Sequence, residues 1–186
     1  MNKQNSQPLE TAIFAGGCFW CTEAVFQRLE GVHEVVSGYT GGTIKNPAYR
    51  EICTGRTGHA EAIKISFDPS KVSYLDLLEV FFATHDPTTL NRQGNDVGTQ
   101  YRSEIFYTTP EQKRSATDLI AMLDKKKVFA SPIVTAVSEE QPFYVAEEEH
   151  QNYFNDHRQQ PYCQFIIDPK IKKLKTYFSK KLNTEN

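Results

Sequence analysis

Apolar residues recur along this chain with two different spacings, and each change of spacing marks a new element. Thr11–Ala15 is a short apolar run that reads as a strand. After two glycines, Cys18–Leu29 reads as a helix with Cys21, Val25 and Leu29 on one face. Glu34–Tyr39 reads as a second strand closed by Gly41-Gly42, and Pro47–Cys53 as a short helix. Glu61–Phe67 alternates, with Ile63, Ile65 and Phe67 on one side and Lys64 and Ser66 on the other. Ser73, with Asp76 three residues on, predicts a capped helix start, and Tyr74, Leu77, Leu78, Phe81 and Phe82 form its apolar stripe.

Asp86–Gln100 is polar and glycine-containing and predicts a long loop, which in a compact domain usually has a task. Tyr101–Thr108 reads as a strand, and Thr109-Pro110-Glu111-Gln112 opens a helix with proline in its first turn. Ile133–Val137 reads as a strand, Ala146–Asp156 as a helix, Pro161–Ile167 as irregular and Lys170–Lys181 as a terminal helix. The expected fold class is α/β (α+β): a single two-layer domain with a mixed central sheet flanked by helices and an irregular C-terminal tail. It would span 11–182, between a disordered segment at 1–10 and a frayed end at 183–186.

Composition narrows the functions available. With 186 residues and 39% hydrophobic content, the chain can bury a substantial core. The net charge is −2 with no long block of one sign, so the basic face that nucleic-acid binding needs is missing. No stretch approaches the roughly 20 apolar residues of a membrane span, and the polar first ten residues contain no signal-like apolar run. A cytoplasmic protein is expected, and its four cysteines then read as thiols with chemistry rather than as structural bridges.

Gly16-Gly17-Cys18-Phe19-Trp20-Cys21 is the strongest chemical signal. Cys18 falls where a helix begins, and free N–H groups with the positive end of the helix dipole stabilise an anion there. A lowered thiol pKa and an activated nucleophile are therefore expected. Cys18 and Cys21, three apart on a helix, would have Cα atoms about 5 Å apart, within disulfide range. Cys21 also shares an apolar face with Val25 and Leu29, so a plain buried cysteine is the alternative. A zinc half-site lacks its second pair of ligands.

Glu61 shares parity with Ile63, Ile65 and Phe67 and so points toward the buried face, unless the strand begins after it. Burial raises a carboxyl pKa and keeps a proton available for general-acid catalysis. In the loop, Asp96 offers an acceptor and Tyr101 a hydroxyl, while the glycine spacing does not fit a phosphate loop. None of the five histidines has metal-ligand spacing to another, and His150, after three glutamates, reads as part of an exposed helix face. Cys163, in the tail, reads either as a thiol that can swing over another sulfur or as a lone cysteine, and Cys53 as buried and inert.

Together these residues resemble the peptide methionine sulfoxide reductases of the A class. The resemblance covers about Ile13 to Cys163. It rests on Gly16-Gly17-Cys18-Phe19-Trp20, Ser37-Gly38-Tyr39-Thr40-Gly41-Gly42, Asn46-Pro47-Ala48-Tyr49, Gly58-His59-Ala60-Glu61, Asn95-Asp96-Val97-Gly98, Gln100-Tyr101-Arg102-Ser103 and His150-Gln151. It implies reduction of the S epimer of methionine sulfoxide, free or in proteins, with no metal or organic cofactor. Cys18 would attack the sulfoxide sulfur and Glu61 would protonate its oxygen, assisted by Tyr49 and Tyr101. Asp96 would orient the pocket, while Phe19 and Trp20 would hold the S-methyl group. The oxidised Cys18 would be cleared as a disulfide and recycled by thioredoxin, in a monomer with no nucleic-acid or membrane partner.

Many members have glycine where this chain has Cys21 and use a cysteine in a C-terminal Tyr-Cys segment, matched here by Tyr162-Cys163. The resemblance thus leans to Cys163 as the resolving thiol, with a relay to Cys21. The alternatives from other classes are a general thiol–disulfide oxidoreductase using Cys18 and Cys21, and a small zinc-binding module.

Overall fold

A computed structural model describes residues 7–183. Its elements in chain order are β1 (Glu10–Gly16), α1 (Phe19–Phe26), β2 (Val32–Thr40), α2 (Tyr49–Ile52), β3 (Ala60–Phe67), α3 (Tyr74–Thr84), β4 (Arg92–Gln93), β5 (Asp96–Val97), β6 (Ser103–Tyr107), α4 (Pro110–Lys125), β7 (Ala136–Glu139), β8 (Tyr144–Val145), α5 (Tyr153–Asp156) and α6 (Asp168–Tyr177). Six strands form one sheet in the order β7-β6-β1-β3-β2-β8. All neighbours are antiparallel except β6 and β7, so the sheet is mixed, with helices packed against it.

The alternation in β3 sets the two faces. Ile63, Ile65 and Phe67 lie fully buried with Phe14 of β1 against α1 and α3, and Phe14 stacks on Phe81 of α3 at 4.9 Å. Ala60 and Ala62 face the other way, into a smaller cluster with Ile13, Ala15 and Phe106 covered by Phe143. The α3 start follows its sequence signal: Ser73 accepts from the Asp76 N–H and Asp76 accepts from the Ser73 N–H, both at 3.0 Å.

Four segments differ from the expectation. Ala146–Asp156 is not one helix: β8 pairs with β2, a 3-10 turn covers Glu148–His150, and the short α5 starts only after Asn152, at φ 55°. The physical cause is Gln151. Its side chain accepts from the Ser37 N–H at 2.9 Å and donates to the Ser37 carbonyl at 2.8 Å, a β2 contact that continuous helix would break.

The tail at Pro161–Ile167 is not irregular either. A π-helical turn over Cys163–Ile167 runs into α6, whose Ile171 and Leu174 are buried. Strand β7 begins at Ala136, later than expected, and the 86–100 loop contains the β4–β5 hairpin. Of the expected disordered segment 1–10 and frayed end 183–186, residues 1–6 and 184–186 lie outside the described residues, while Glu10 is already in β1, paired with Phe67. The Asn183 N–H bonds the Arg28 carbonyl at 2.9 Å.

Candidate active site

Cys18 is the N-cap of α1, at the junction where β1 ends. Gly17 makes the turn at φ 92°, and a Cβ there would meet the Gln93 side chain at 2.7 Å, so only glycine fits. The first helical N–H, that of Phe19, donates not to the sulfur but to Glu61 Oε1 at 3.1 Å. Strand β3 delivers Glu61, 2% exposed and opposite Tyr39 of β2. Burial pushes its carboxyl up to about 8; the Phe19 N–H pulls downward, and the charges of Asp96 and Cys21 add to the rise.

The expected depression of the Cys18 pKa is corrected by this geometry. The thiol lies well above its ordinary value, first because it is buried, then because of the Cys21 hydrogen bond and the Glu61 charge. The Trp20 N–H opposes this, but one donor does not outweigh the rest. Cys21 moves the other way, lowered by its hydrogen bond with Cys18 and by Lys170 and Tyr162 against the effect of burial. At rest the pair therefore holds Cys18 as a thiol beside a protonatable acid.

Aromatic side chains enclose the pair. Trp20 lies flat on Tyr153, with ring centroids 3.7 Å apart and planes at 7°. The Trp20 indole N–H donates to His150 Nδ1 at 3.3 Å. Phe19 is 1% exposed and packs on Tyr39 at 5.6 Å, at the back of the site. Tyr49 packs on His150 at 4.3 Å, and its N–H donates to Glu147 Oε1 at 2.9 Å. The phenols of Tyr49 and Tyr101 are raised mainly by burial, and both sense the charges of Glu61 and Cys18. Tyr162 donates to Asp96 Oδ2 at 2.9 Å, and its oxygen lies 3.5 Å from Cys21 Sγ.

All the candidates read from the sequence thus meet in one place: Cys18, Glu61, Tyr49, Tyr101, Asp96, Phe19, Trp20, Cys21 and Cys163. Cys163 is fully buried, in an apolar cluster with Cys18, Cys21, Phe154, Ile167 and Ile171. Cys53 is exposed, contrary to the expectation that it is buried, and its thiol neighbours the Tyr49 hydroxyl, which it helps to raise. A cavity of about 440 Å³ opens on the pair, lined by Cys18, Cys21, Asp96, Tyr162, Phe165 and Lys170 among others.

Tyr153 and Glu147 were missed in the sequence, and His150, though part of the His150-Gln151 motif, was placed on an exposed face. Three consecutive glutamates disguised His150, which is 6% exposed, as a surface residue. Nothing local marks Glu147, whose Oε2 accepts from the Tyr39 hydroxyl at 2.9 Å. Among the described residues, no three His, Cys, Asp or Glu side chains converge as metal ligands.

Residues 10–182 match the family model of peptide methionine sulfoxide reductase. The chain is 56% identical over 184 residues to peptide methionine sulfoxide reductase MsrA of Deinococcus radiodurans, covering 97% of this chain and 89% of the relative. It is 58% identical over 170 residues to the protein of that name in Trichodesmium erythraeum, covering 91% and 96%. Methionine sulfoxide reductase A of Corynebacterium diphtheriae superposes with a TM-score of 0.77 at 35% identity, covering 86% of this chain and 79% of that one.

Proposed function

Because this chain belongs to the peptide methionine sulfoxide reductase family and is an oxidoreductase of that kind, we propose that Cys18 and Glu61 carry out its chemistry on the S epimer. A sulfoxide is neutral and a poor electrophile, so its oxygen must gain a proton as its sulfur is attacked. The Cys18 sulfur attacks, the Glu61 carboxylic acid protonates the oxygen, and the Tyr49 and Tyr101 hydroxyls steady the developing charge. The S–O bond to the substrate breaks and the oxygen passes to Cys18. The balance is sulfoxide plus Cys18 thiol giving methionine plus Cys18 sulfenic acid, the first reversible step of thiol oxidation. Trp20 and Phe19 supply the apolar wall for the methyl group, and Asp96 orients the pocket through its neighbours.

The sulfenic acid then becomes an intramolecular disulfide, which thioredoxin reduces. The active unit is the single chain, since it supplies every residue of the site. A reducing cytoplasm suits its free thiols, and no described helix is long and apolar enough to cross a membrane.

The observation that carries this reading is Glu61, buried beside Cys18 with its carboxyl raised to about 8. The test is turnover of the separate S and R epimers with excess dithiothreitol. Cys18→Ser should be inactive, and Glu61→Gln should lose about 10²–10⁴-fold in kcat/KM on the S epimer. Full activity of Cys18→Ser would overturn the proposal. The Cys18–Cys21 contact also favours a second reading, general disulfide reduction. Insulin reduction at an undiminished rate by Glu61→Gln, without sulfoxide turnover, would select it.

A further inference from the structure

Trp20 is held on one face by Tyr153 and along one edge by His150. Stacking at 3.7 Å fixes the plane of the indole, but face-to-face attraction resists turning within that plane only weakly. A directional hydrogen bond removes that freedom. The Trp20 indole N–H makes one, donating to His150 Nδ1 at 3.3 Å.

An indole only donates, so Nδ1 must accept and the neutral imidazole carries its proton on Nε2. Two features keep it in that form. Burial moves the imidazole below its ordinary pKa, against the pull of Glu147 and Glu149, so Nδ1 stays unprotonated. Glu147 Oε2 at 3.8 Å and Glu149 Oε1 at 4.0 Å flank Nε2, too far to bond it but close enough to favour a proton there.

The ring is also wedged in place. It lies against Phe19 at 5.5 Å, Trp20 at 5.9 Å and Tyr49 at 4.3 Å. Glu147, in the same turn, accepts from the Tyr39 hydroxyl and the Tyr49 N–H, both at 2.9 Å. The turn bearing His150 is thus tied to β2 and α2, and elements outside α1 set where the indole edge stands.

We propose that His150 is a positioning residue for sulfoxide reduction: as a fixed acceptor for Trp20, it sets how large an alkyl group beside the sulfoxide sulfur the pocket admits. This rests on the reductase reading above, in which Trp20 walls the methyl site. One methylene in an apolar pocket separates substrates by about 10–200-fold, but only while the wall stays put. An indole free to turn admits the S-ethyl homologue and holds the methyl compound less well.

The experiment compares the full chain with His150→Phe, which keeps a ring without the acceptor, and His150→Asn, whose Oδ1 replaces Nδ1 without the ring. Turnover of methionine sulfoxide and of its S-ethyl homologue is measured with excess dithiothreitol. Isotope-labelled protein gives a single indole N–H signal, because Trp20 is the one tryptophan. His150→Phe should lose at least about fivefold of the preference for methyl over ethyl, the change falling on KM more than on kcat. Its indole N–H should exchange with solvent at least about tenfold faster. His150→Asn should recover most of both.

A folded His150→Phe chain with the parent's preference would overturn the proposal, as would His150→Asn no better than His150→Phe. So would an unprotected indole N–H in the parent chain, a result that needs no variant to fold. A parent chain that turns over neither sulfoxide would sink the reductase reading and this proposal with it, an outcome distinct from turnover with an unaltered preference.

Discussion

The strand parity of Glu61 pointed to the buried face but left open a strand that begins after it; β3 begins at Ala60, and Glu61 is buried. Its raised carboxyl has a consequence for stability. Between its ordinary 4.5 and about 8 the folded chain keeps a proton that the unfolded chain has lost, so stability falls as pH rises through that window. Below it, both states are protonated and the effect vanishes. Glu61→Gln should therefore raise the melting temperature at pH 8 but hardly at pH 4, a difference on the order of a few kcal/mol. Thermal melts of both proteins across pH check this. The direction of the Cys18 shift was not legible: a helix start is visible in sequence, but the diversion of the Phe19 N–H to Glu61 is not. At pH 7 iodoacetamide should label Cys18 at least about tenfold more slowly than free cysteine, as mapped by mass spectrometry.

Elements whose cause is local were legible, and those held from afar were not. The α3 helix carries its own cap and stripe within a dozen residues, and β3 its own alternation. The stretch from Ala146 to Asp156 is shaped instead by Gln151 on Ser37, which lies more than a hundred residues earlier. The Gln151 amide also donates to the Ala146 carbonyl at 3.1 Å. Gln151→Ala leaves those backbone groups unpaired and should cost about 1–3 kcal/mol. It should also raise hydrogen exchange at the Ser37 amide, measurable by NMR, while the α3 amides stay protected. The π-helical turn was equally hidden, since its extra residue has no compositional mark.

At the scale of the whole molecule, the sheet is a two-sided platform whose large side holds the active site. Phe81 links that core to the site, lying on Phe14 and within 2.8 Å of where a Gly16 side chain would stand. Phe81→Ala should cost about 3–5 kcal/mol, lowering the melting point by roughly 6–20 °C for a domain of this size. Sulfoxide turnover should fall with the folded fraction, as parallel calorimetry and activity assays against temperature would register. The two-layer class was foreseeable from alternating periods. The strand order was not, because the return of β3 between β1 and β2 depends on pairings that no single segment encodes.

Trp20 is the chain's single tryptophan and lies flush on Tyr153 beside the reactive sulfur. Its ultraviolet emission therefore comes from one spot alone. Any undocking of the segment that carries Tyr153 and Tyr162 alters the polarity and quenching around that indole. The unlabelled protein thus has a built-in optical gauge of its catalytic cycle, readable by stopped flow as oxidant and then reductant are mixed in.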